Sequence, residues 1–163
     1  MKELILVRHA KSEWPQGFSD IERPLSERGQ RDCLSAAEFF KNLPNINEFE
    51  VHVSAAVRTQ ETWELIERNL GIDVDKFVTD HIYEASVGDL LNYLEGLGKD
   101  HLIFVGHNPG LALLGSYLTG QRIMKFPTLS IWHIETEGKW EADSAKTLYR
   151  DAPRADNLND DND

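Results

Sequence analysis

Two short, wholly apolar runs restrict the fold of this chain more than any other feature. Leu4–Val7 and Leu102–Val105 each hold four consecutive apolar residues, which is typical of strands buried on both faces. Helical patterns lie between and after these runs, and alternating strands and helices favour a parallel sheet. We therefore predict an α/β fold, a three-layer α/β/α sandwich with a mostly parallel sheet and an antiparallel edge.

Local signals place the remaining elements. Ser26 and Ser86 have the residue type and position of helix N-caps, and Asn108 is predicted to cap a helix that has Pro109 as its first residue. Gly71 and Gly98 follow apolar helical stripes and suit helix C-termini. Further strands are predicted at 49–53, 77–78, 128–135 and 147–149, and helices after Ser26, at 57–70, after Ser86 and at 111–118.

The length of 163 residues fits one folded domain with a sizeable core. We assign residues 1–150 to that domain and 151–163, which contain five Asp and one Arg, to a flexible acidic tail. The single Cys33 excludes an internal disulfide framework and a cysteine-based zinc site. No leader pattern precedes the first strand, and we expect a cytoplasmic protein.

The charge of the chain limits its partners. A net charge of −11 does not suit a broad basic surface for nucleic acid, and it repels anionic membranes. The sequence therefore predicts neither a nucleic-acid partner nor a membrane partner. If the protein acts on an anion, its positive charge must be focused locally.

Such a focus is predicted where the strands end. Arg8 and His9 follow the first strand, Arg58 comes just after the second, and His107 follows the second apolar run. Carboxyl ends of parallel strands meet at one edge of a sheet, where ligands bind. Two guanidinium groups and two imidazoles suit a phosphoryl group, because Arg grips its oxygens and a neutral imidazole can attack phosphorus.

Four blocks around these residues resemble the histidine phosphatase (phosphoglycerate mutase-like) superfamily. The short length, Ala10 after His9 and the Gly-His-Asn-Pro-Gly form are most similar to the SixA-type phosphohistidine phosphatases. Each block alone is weak, whereas four in the right order are specific. The blocks are Leu6–Ser12, Arg23–Gly29, Ser54–Thr62 and Val105–Gly110.

The resemblance implies a role for each matching residue. His9 would be the nucleophile that becomes phosphohistidine, Arg8 and Arg58 would hold the phosphate, and His107 would be the second imidazole. The resemblance implies no metal and no organic cofactor. Two further residues, Lys11 and Ser12, either touch phosphate or shape the turn, and Asn108 is a candidate substrate contact.

The chain departs from the family at two positions, because Ala10 stands where many members have Gly and Pro15 where the mutases have Asn. The general acid is also weakly marked. Glu84 is the best candidate, although a solvated surface position is the simpler interpretation. A weak acid favours P–N substrates, because a neutral imidazole leaves more readily than an alkoxide.

We predict a metal-independent phosphatase that acts on a phosphohistidine-bearing protein or on a small phosphorylated compound. One alternative is a phosphoglycerate mutase-like enzyme or a small-metabolite phosphomonoesterase. An alternative of another class is a non-catalytic, phosphate-binding regulatory module. His52, His81, His101 and His133 show no metal-ligand spacing and are interpreted as structural or surface residues.

Overall fold

The sheet is built around the strand that carries the first apolar run. The computed structural model describes residues 1–123 and 125–151. The strands are β1 (Lys2–Arg8), β2 (Glu50–Ser54), β3 (Asp75–Thr79), β4 (His101–Gly106), β5 (Ile131–Thr136) and β6 (Lys146–Asp151). The helices are α1 (Glu27–Lys41), α2 (Val57–Leu70), α3 (Val87–Leu97) and α4 (Gly110–Thr119), and short 3-10 helices occupy Asp20–Glu22 and Ile46–Glu48.

The strand order is β3-β2-β4-β1-β5-β6. Strands β3, β2, β4 and β1 are parallel to one another, whereas β5 is antiparallel to β1, and β6 to β5. The predicted fold class is therefore confirmed, including the antiparallel edge. The carboxyl ends of β1, β2 and β4 lie at the same edge of the sheet, next to one another.

Side-chain alternation along β1 divides the core into two halves. Ile5 and Val7 belong to one buried cluster, with residues of α1 and α2 such as Phe40 and Trp63. Leu4 and Leu6 belong to the other, with leucines of α3 and α4. Because β1 is covered on both faces, it is held firmly in place. The residues at and directly after its end, Arg8 and His9, are therefore held in place as well.

Most helix ends follow the sequence signals. The Ser26 hydroxyl accepts a hydrogen bond from the Gly29 amide, Ser86 forms a capping box with Asp89, and Gly71 is left-handed. The prediction for Asn108 is wrong, since α4 begins at Gly110 with Pro109 at the N-cap. The side-chain amide of Asn108 instead donates to the Phe126 carbonyl at 2.7 Å, so it is directed away from the helix.

Two predicted boundaries near the C-terminus also move. Leu129 has a positive φ of 61°, and the Ser130 amide donates to the Pro127 carbonyl, so a turn occupies the start of the strand predicted at 128–135. Asp151, assigned to the tail, is the last residue of β6. The rest of the predicted tail, 152–163, lies outside the described residues. In the described part of the chain, no helix is long and apolar enough to cross a membrane.

Candidate active site

Strand register brings the two imidazoles together. Arg8 of β1 is paired with Gly106 of β4, so His9 and His107 follow from paired positions. Their ring centroids are 5.4 Å apart. On the other side of β4, Val53 pairs with Val105, which brings Ser54 beside Gly106. The positions of His9, His107 and Ser54 are therefore set by the pairing of the strands rather than by the conformation of loops.

His9 is held on both backbone sides and is only 1% exposed. Its amide donates to the Gly106 carbonyl, and its own carbonyl accepts from the Leu129 amide, both at 3.0 Å. The ring Nδ1 lies 2.7 Å from the Ala10 carbonyl. Because a carbonyl can only accept, Nδ1 carries the proton and Nε2 keeps its lone pair.

Burial and nearby positive charge keep His9 neutral. Desolvation by burial is the largest cause that lowers its pKa well below the usual value, followed by His107, Arg8 and Arg58. A neutral imidazole with a fixed tautomer and a free Nε2 lone pair is suited to act as a nucleophile.

His107 has the opposite tautomer. Its Nε2 lies 2.7 Å from the Ser54 hydroxyl, and its Nδ1 lies 3.5 Å from Nη2 of Arg58. Since a guanidinium only donates, the ring proton is on Nε2 and the Nδ1 lone pair faces Arg58. Burial, and then the Arg58 charge, lower the pKa of His107 to about 3, although Asp20 opposes that change. An anionic group between Arg58 and His107 would favour protonation of Nδ1.

The Arg8 guanidinium is buried at 2% exposure. Its Nη1 donates to the Phe126 carbonyl at 3.0 Å, and the same carbonyl accepts from Asn108. Arg8 also lowers the pKa of both His9 and His107, so its charge acts on both rings. Asn108 thus anchors the loop that supports Arg8, and its contact with substrate stays a prediction.

Arg58 is the second residue of α2, and its guanidinium bonds to Asp20, a residue that the sequence analysis did not predict at the site. Its Nη1 donates to the Asp20 carbonyl at 2.7 Å and its Nη2 to Asp20 Oδ2 at 3.1 Å. A cation near a helix N-terminus opposes the helix dipole, and a neighbouring anion offsets that repulsion. The anion that the structure places there is Asp20. The Nε of Arg58 is buried without a hydrogen-bond partner among the described residues.

The loop after β1 forms a polar wall rather than an apolar one. Trp14 and Phe18, the large apolar residues available to this wall, are 67% and 54% exposed. The buried component is Arg23, whose guanidinium stacks 3.3 Å from the Trp14 ring centre and donates to Asp20 Oδ1 at 3.0 Å. Arg23 Nη2 also donates to the Ser12 hydroxyl. The Ser12 hydroxyl therefore helps to hold Arg23 in this wall. This hydrogen bond supports the interpretation that Ser12 shapes the turn, and a contact between Ser12 and phosphate stays a prediction.

Lys11 is fixed through its backbone. Its carbonyl accepts from the Ser26 amide at 2.9 Å and from the Ser26 hydroxyl at 3.1 Å. A Cβ on Gly29 would lie 2.1 Å from that carbonyl oxygen, so only glycine permits α1 to pack this closely. The turn after His9 is thus tied to the start of α1, and a phosphate contact from the Lys11 side chain stays a prediction.

Glu84 is exposed and has a positive φ of 53°. Its carboxylate faces the hydroxyl of Tyr83 rather than a buried pocket. The Tyr83 ring lies edge-on to His107 with centroids 5.6 Å apart, and its hydroxyl donates to Asp20 Oδ2 at 2.6 Å. Burial, followed by Asp20 and Glu84, raises the pKa of Tyr83 well above its usual value.

The site therefore combines three buried guanidinium groups, two neutral imidazoles and one carboxylate. Despite burial, hydrogen bonds from Tyr83 and Arg23 and the Arg58 charge lower the pKa of Asp20 to about 2. Within the described residues there is no cluster of three or more His, Cys, Asp or Glu that could hold a metal ion. The net positive pocket around a neutral His9 can bind a phosphoryl group and accept it on nitrogen.

Sequence reasoning missed Asp20, Arg23, Ser54 and Tyr83. Arg23 and Ser54 lie in blocks that carry the family resemblance, and Ser54 also ends a predicted strand, so strand-end position was a usable signal for it. For Asp20 and Tyr83 the only signal was their place in aperiodic segments beside the predicted site. Loop residues reach a site through hydrogen bonds that periodicity does not encode.

The chain is similar to known proteins in both sequence and structure. The model of the histidine phosphatase superfamily (branch 1) matches residues 4–102. An uncharacterized Mycobacterium tuberculosis protein is 32% identical over 147 residues, which cover 82% of this chain and 89% of that protein. SixA from Agrobacterium tumefaciens has a similar structure, with a TM-score of 0.79, 21% identity and coverage of 93% and 98% of the two chains. The protein histidine phosphatase SixA in complex with tungstate gives a TM-score of 0.78 and 22% identity, with coverage of 93% and 97%.

Proposed function

This chain belongs to the histidine phosphatase superfamily, and we propose that it is a phosphohistidine phosphatase with His9 as its nucleophile. Two features carry the proposal: His9 is neutral with a fixed tautomer, and the acids beside it are unsuited to protonating an alkoxide. The similarity to SixA supports the same substrate class, since it extends over almost the whole chain.

In the first step, Nε2 of His9 attacks the phosphorus of a phosphohistidine. The P–N bond of the substrate breaks, and its electron pair returns to the substrate imidazole. Arg8 and Arg58 hold the phosphoryl oxygens, and Nδ1 of His107, once protonated, donates to an equatorial oxygen. The hydrogen bond from Nδ1 to the Ala10 carbonyl supports His9 as positive charge develops on its ring.

In the second step, water attacks phospho-His9. The P–Nε2 bond breaks, its electron pair returns to His9, and inorganic phosphate leaves with the oxygen of water. The sum is phosphohistidine plus water to histidine plus phosphate. Neither step needs a metal or an organic cofactor.

The ionisable neighbours of the pocket favour a P–N substrate. Asp20, with a pKa of about 2, is ionised at neutral pH, and Tyr83, whose pKa is raised well above its usual value, already donates to it. His107 is neutral in the free protein, and in the proposed first step its proton is donated to an equatorial oxygen rather than to the leaving group. An alkoxide needs a proton as it leaves, whereas a protonated phosphohistidine releases a neutral imidazole. Glu84, which is exposed, remains the candidate acid for P–O substrates.

A comparison of P–N and P–O substrates tests this proposal. Phosphate release from a phosphohistidine protein and from free phosphohistidine is measured beside release from phosphoserine and p-nitrophenyl phosphate. We expect kcat/KM to be about a hundredfold or more higher for the P–N substrates than for phosphoserine, the range that proton transfer by a positioned acid supplies. p-Nitrophenolate leaves without a proton, so p-nitrophenyl phosphate should be hydrolysed faster than phosphoserine. Higher kcat/KM for phosphoserine would indicate a phosphomonoesterase, and phosphate binding without turnover would indicate a regulatory module.

The panel also separates the two kinds of P–N substrate. A higher kcat/KM for the phosphoprotein than for free phosphohistidine would identify a protein partner, and equal values would identify a small phosphorylated compound. The composition favours a cytoplasmic setting for either, and that location stays a prediction.

A further inference from the structure

Asp20, a loop residue beside the pocket, accepts four hydrogen bonds from three other residues. Oδ2 accepts from Arg58 Nη2 at 3.1 Å and from the Tyr83 hydroxyl at 2.6 Å, and Oδ1 accepts from Arg23 Nη1 at 3.0 Å. The main-chain carbonyl of the same residue accepts from Arg58 Nη1 at 2.7 Å. One residue therefore connects α2, the loop after β1 and the turn that carries Tyr83.

We propose that Asp20 is a positioning residue that holds the Arg58 guanidinium in the orientation in which it binds the phosphoryl group. This inference rests on the proposed function. Two nitrogens of Arg58 bond to Asp20, so the plane of the guanidinium is fixed from one side. The Nη2 of Arg58 also lies 3.5 Å from His107 Nδ1, and its Nε is buried without a partner among the described residues. Nε is therefore the guanidinium donor of Arg58 that no described residue satisfies, and Nη2 is the one that faces His107.

The position of Asp20 is itself fixed. Arg23, with a side chain 3% exposed, holds Oδ1, while the Asp20 side chain is 43% exposed. Arg23 is anchored by the Glu13 carbonyl at 2.9 Å and by the Trp14 ring. A partly exposed carboxylate alone would hold Arg58 weakly, and the buried Arg23 supplies the rigidity that such a surface ion pair lacks.

The charge balance fits the same role. Arg8, Arg23 and Arg58 supply three positive charges, and Asp20 removes one. The remaining excess matches a phosphoryl group that carries up to two negative charges. Asp20 thus orients Arg58 without removing the attraction for substrate.

The first test is Asp20→Asn, with Glu64→Gln as the matched control. Asn presents one acceptor oxygen, so at least one donor among Arg23, Arg58 and Tyr83 would face an NH2 group. We expect kcat/KM to fall by about tenfold to thirtyfold, the size typical of coupled neighbours, and inorganic phosphate to bind more weakly. Glu64 is an exposed acid on the same helix as Arg58, and its substitution should leave both quantities unchanged.

A double-mutant cycle with Arg58→Ala decides whether Asp20 acts through Arg58. If it does, Asp20→Asn should change kcat/KM and phosphate affinity by less than about twofold in the Arg58→Ala background. An equal loss in both backgrounds, or no loss in either, would overturn the proposal. Tyr83→Phe removes one donor to Asp20 and should cost about threefold, which provides a test if Asp20→Asn fails to fold.

Phosphate binding keeps this inference separate from the proposed function. Isothermal titration with inorganic phosphate reports on Arg58 whether or not the protein turns over phosphohistidine. If phosphohistidine is not hydrolysed but the cycle in phosphate affinity shows coupling, the proposed function fails and the role of Asp20 stands. If hydrolysis occurs and the cycle shows no coupling, the inference alone fails.

Discussion

The pocket has two halves that are built in different ways. Arg8 ends β1, His9 follows it and His107 follows β4, so their positions come from the register of β1 with β4. Asp20 and Tyr83 come from loops, and their positions come from hydrogen bonds between side chains. At the strand ends, backbone pairing determines where the functional side chains lie. In the loop half, the positions of the side chains depend on the hydrogen bonds that they form with one another.

Arg58 is the residue at which the two halves meet. Replacing it with Ala removes a phosphate donor from the strand-end half and the partner of Asp20 from the loop half. We expect kcat/KM for phosphohistidine to fall by about a thousandfold, the upper range for removing one transition-state donor. Steady-state kinetics measure this loss. Arg68→Ala, which removes an exposed cation from the same helix, should change it by less than twofold, and a loss below tenfold for Arg58→Ala would contradict the assigned role.

The burial of the strand-end half has a consequence for stability. His107 has a pKa of about 3 in the folded protein and an ordinary value near 6.5 in the unfolded chain. Below pH 6.5 the unfolded chain binds a proton that the folded protein does not, so the free energy of unfolding falls as the pH decreases. From about pH 7.5 to pH 5, this difference accounts for about 2 kcal/mol.

Urea denaturation of the wild type and of His107→Asn at these two pH values measures that contribution. The wild type should lose about 2 kcal/mol more than the variant on acidification. Groups distant from His107 titrate alike in both proteins and cancel, so the difference between the two reports on His107 together with its effect on the pKa of His9. Equal losses would mean that His107 is not held neutral by the fold.

The Ser54 hydroxyl is the partner of His107 on the Nε2 side of the ring, whereas Arg58 faces Nδ1. Ser54→Ala removes the acceptor for Nε2–H, so that proton is left without its hydrogen bond and the ring is less firmly oriented. We expect kcat to fall by about tenfold, equivalent to the loss of one buried hydrogen bond. Ser54→Thr keeps the hydroxyl and should retain most of the activity. If Ser54→Ala and the wild type have the same kcat, the hydroxyl does not orient the His107 ring.

The outermost part of the loop half should matter least. Trp14 is 67% exposed and supports Arg23 only through its ring face. An exposed cation–π contact contributes about 0.5–1 kcal/mol, so Trp14→Ala should lower kcat/KM by about twofold to fivefold. Kinetics with the phosphohistidine protein measure this effect. A loss above a hundredfold would mean that Trp14 contacts the substrate itself.

The same contrast explains what could be predicted from the sequence. The apolar run Leu4–Val7 and the capping residues Ser26 and Ser86 are local signals, and the fold class and helix starts followed from them. Asn108 was misplaced as a cap because its amide bonds to Phe126, eighteen residues further along the chain. Asp20 gave no local signal, because its role depends on Arg58, which is distant in sequence.

The central claim is that His9 becomes phosphorylated. Rapid acid-free quenching of the protein during turnover of a phosphohistidine substrate, followed by peptide mass spectrometry, locates the phosphoryl group directly. We predict an acid-labile phosphoryl group on His9, present in the wild type and absent from His9→Ala, whose kcat should fall by about ten-thousandfold or more. Phosphate release by His9→Ala at the wild-type rate, or a phosphoryl group trapped on another residue, would contradict the claim.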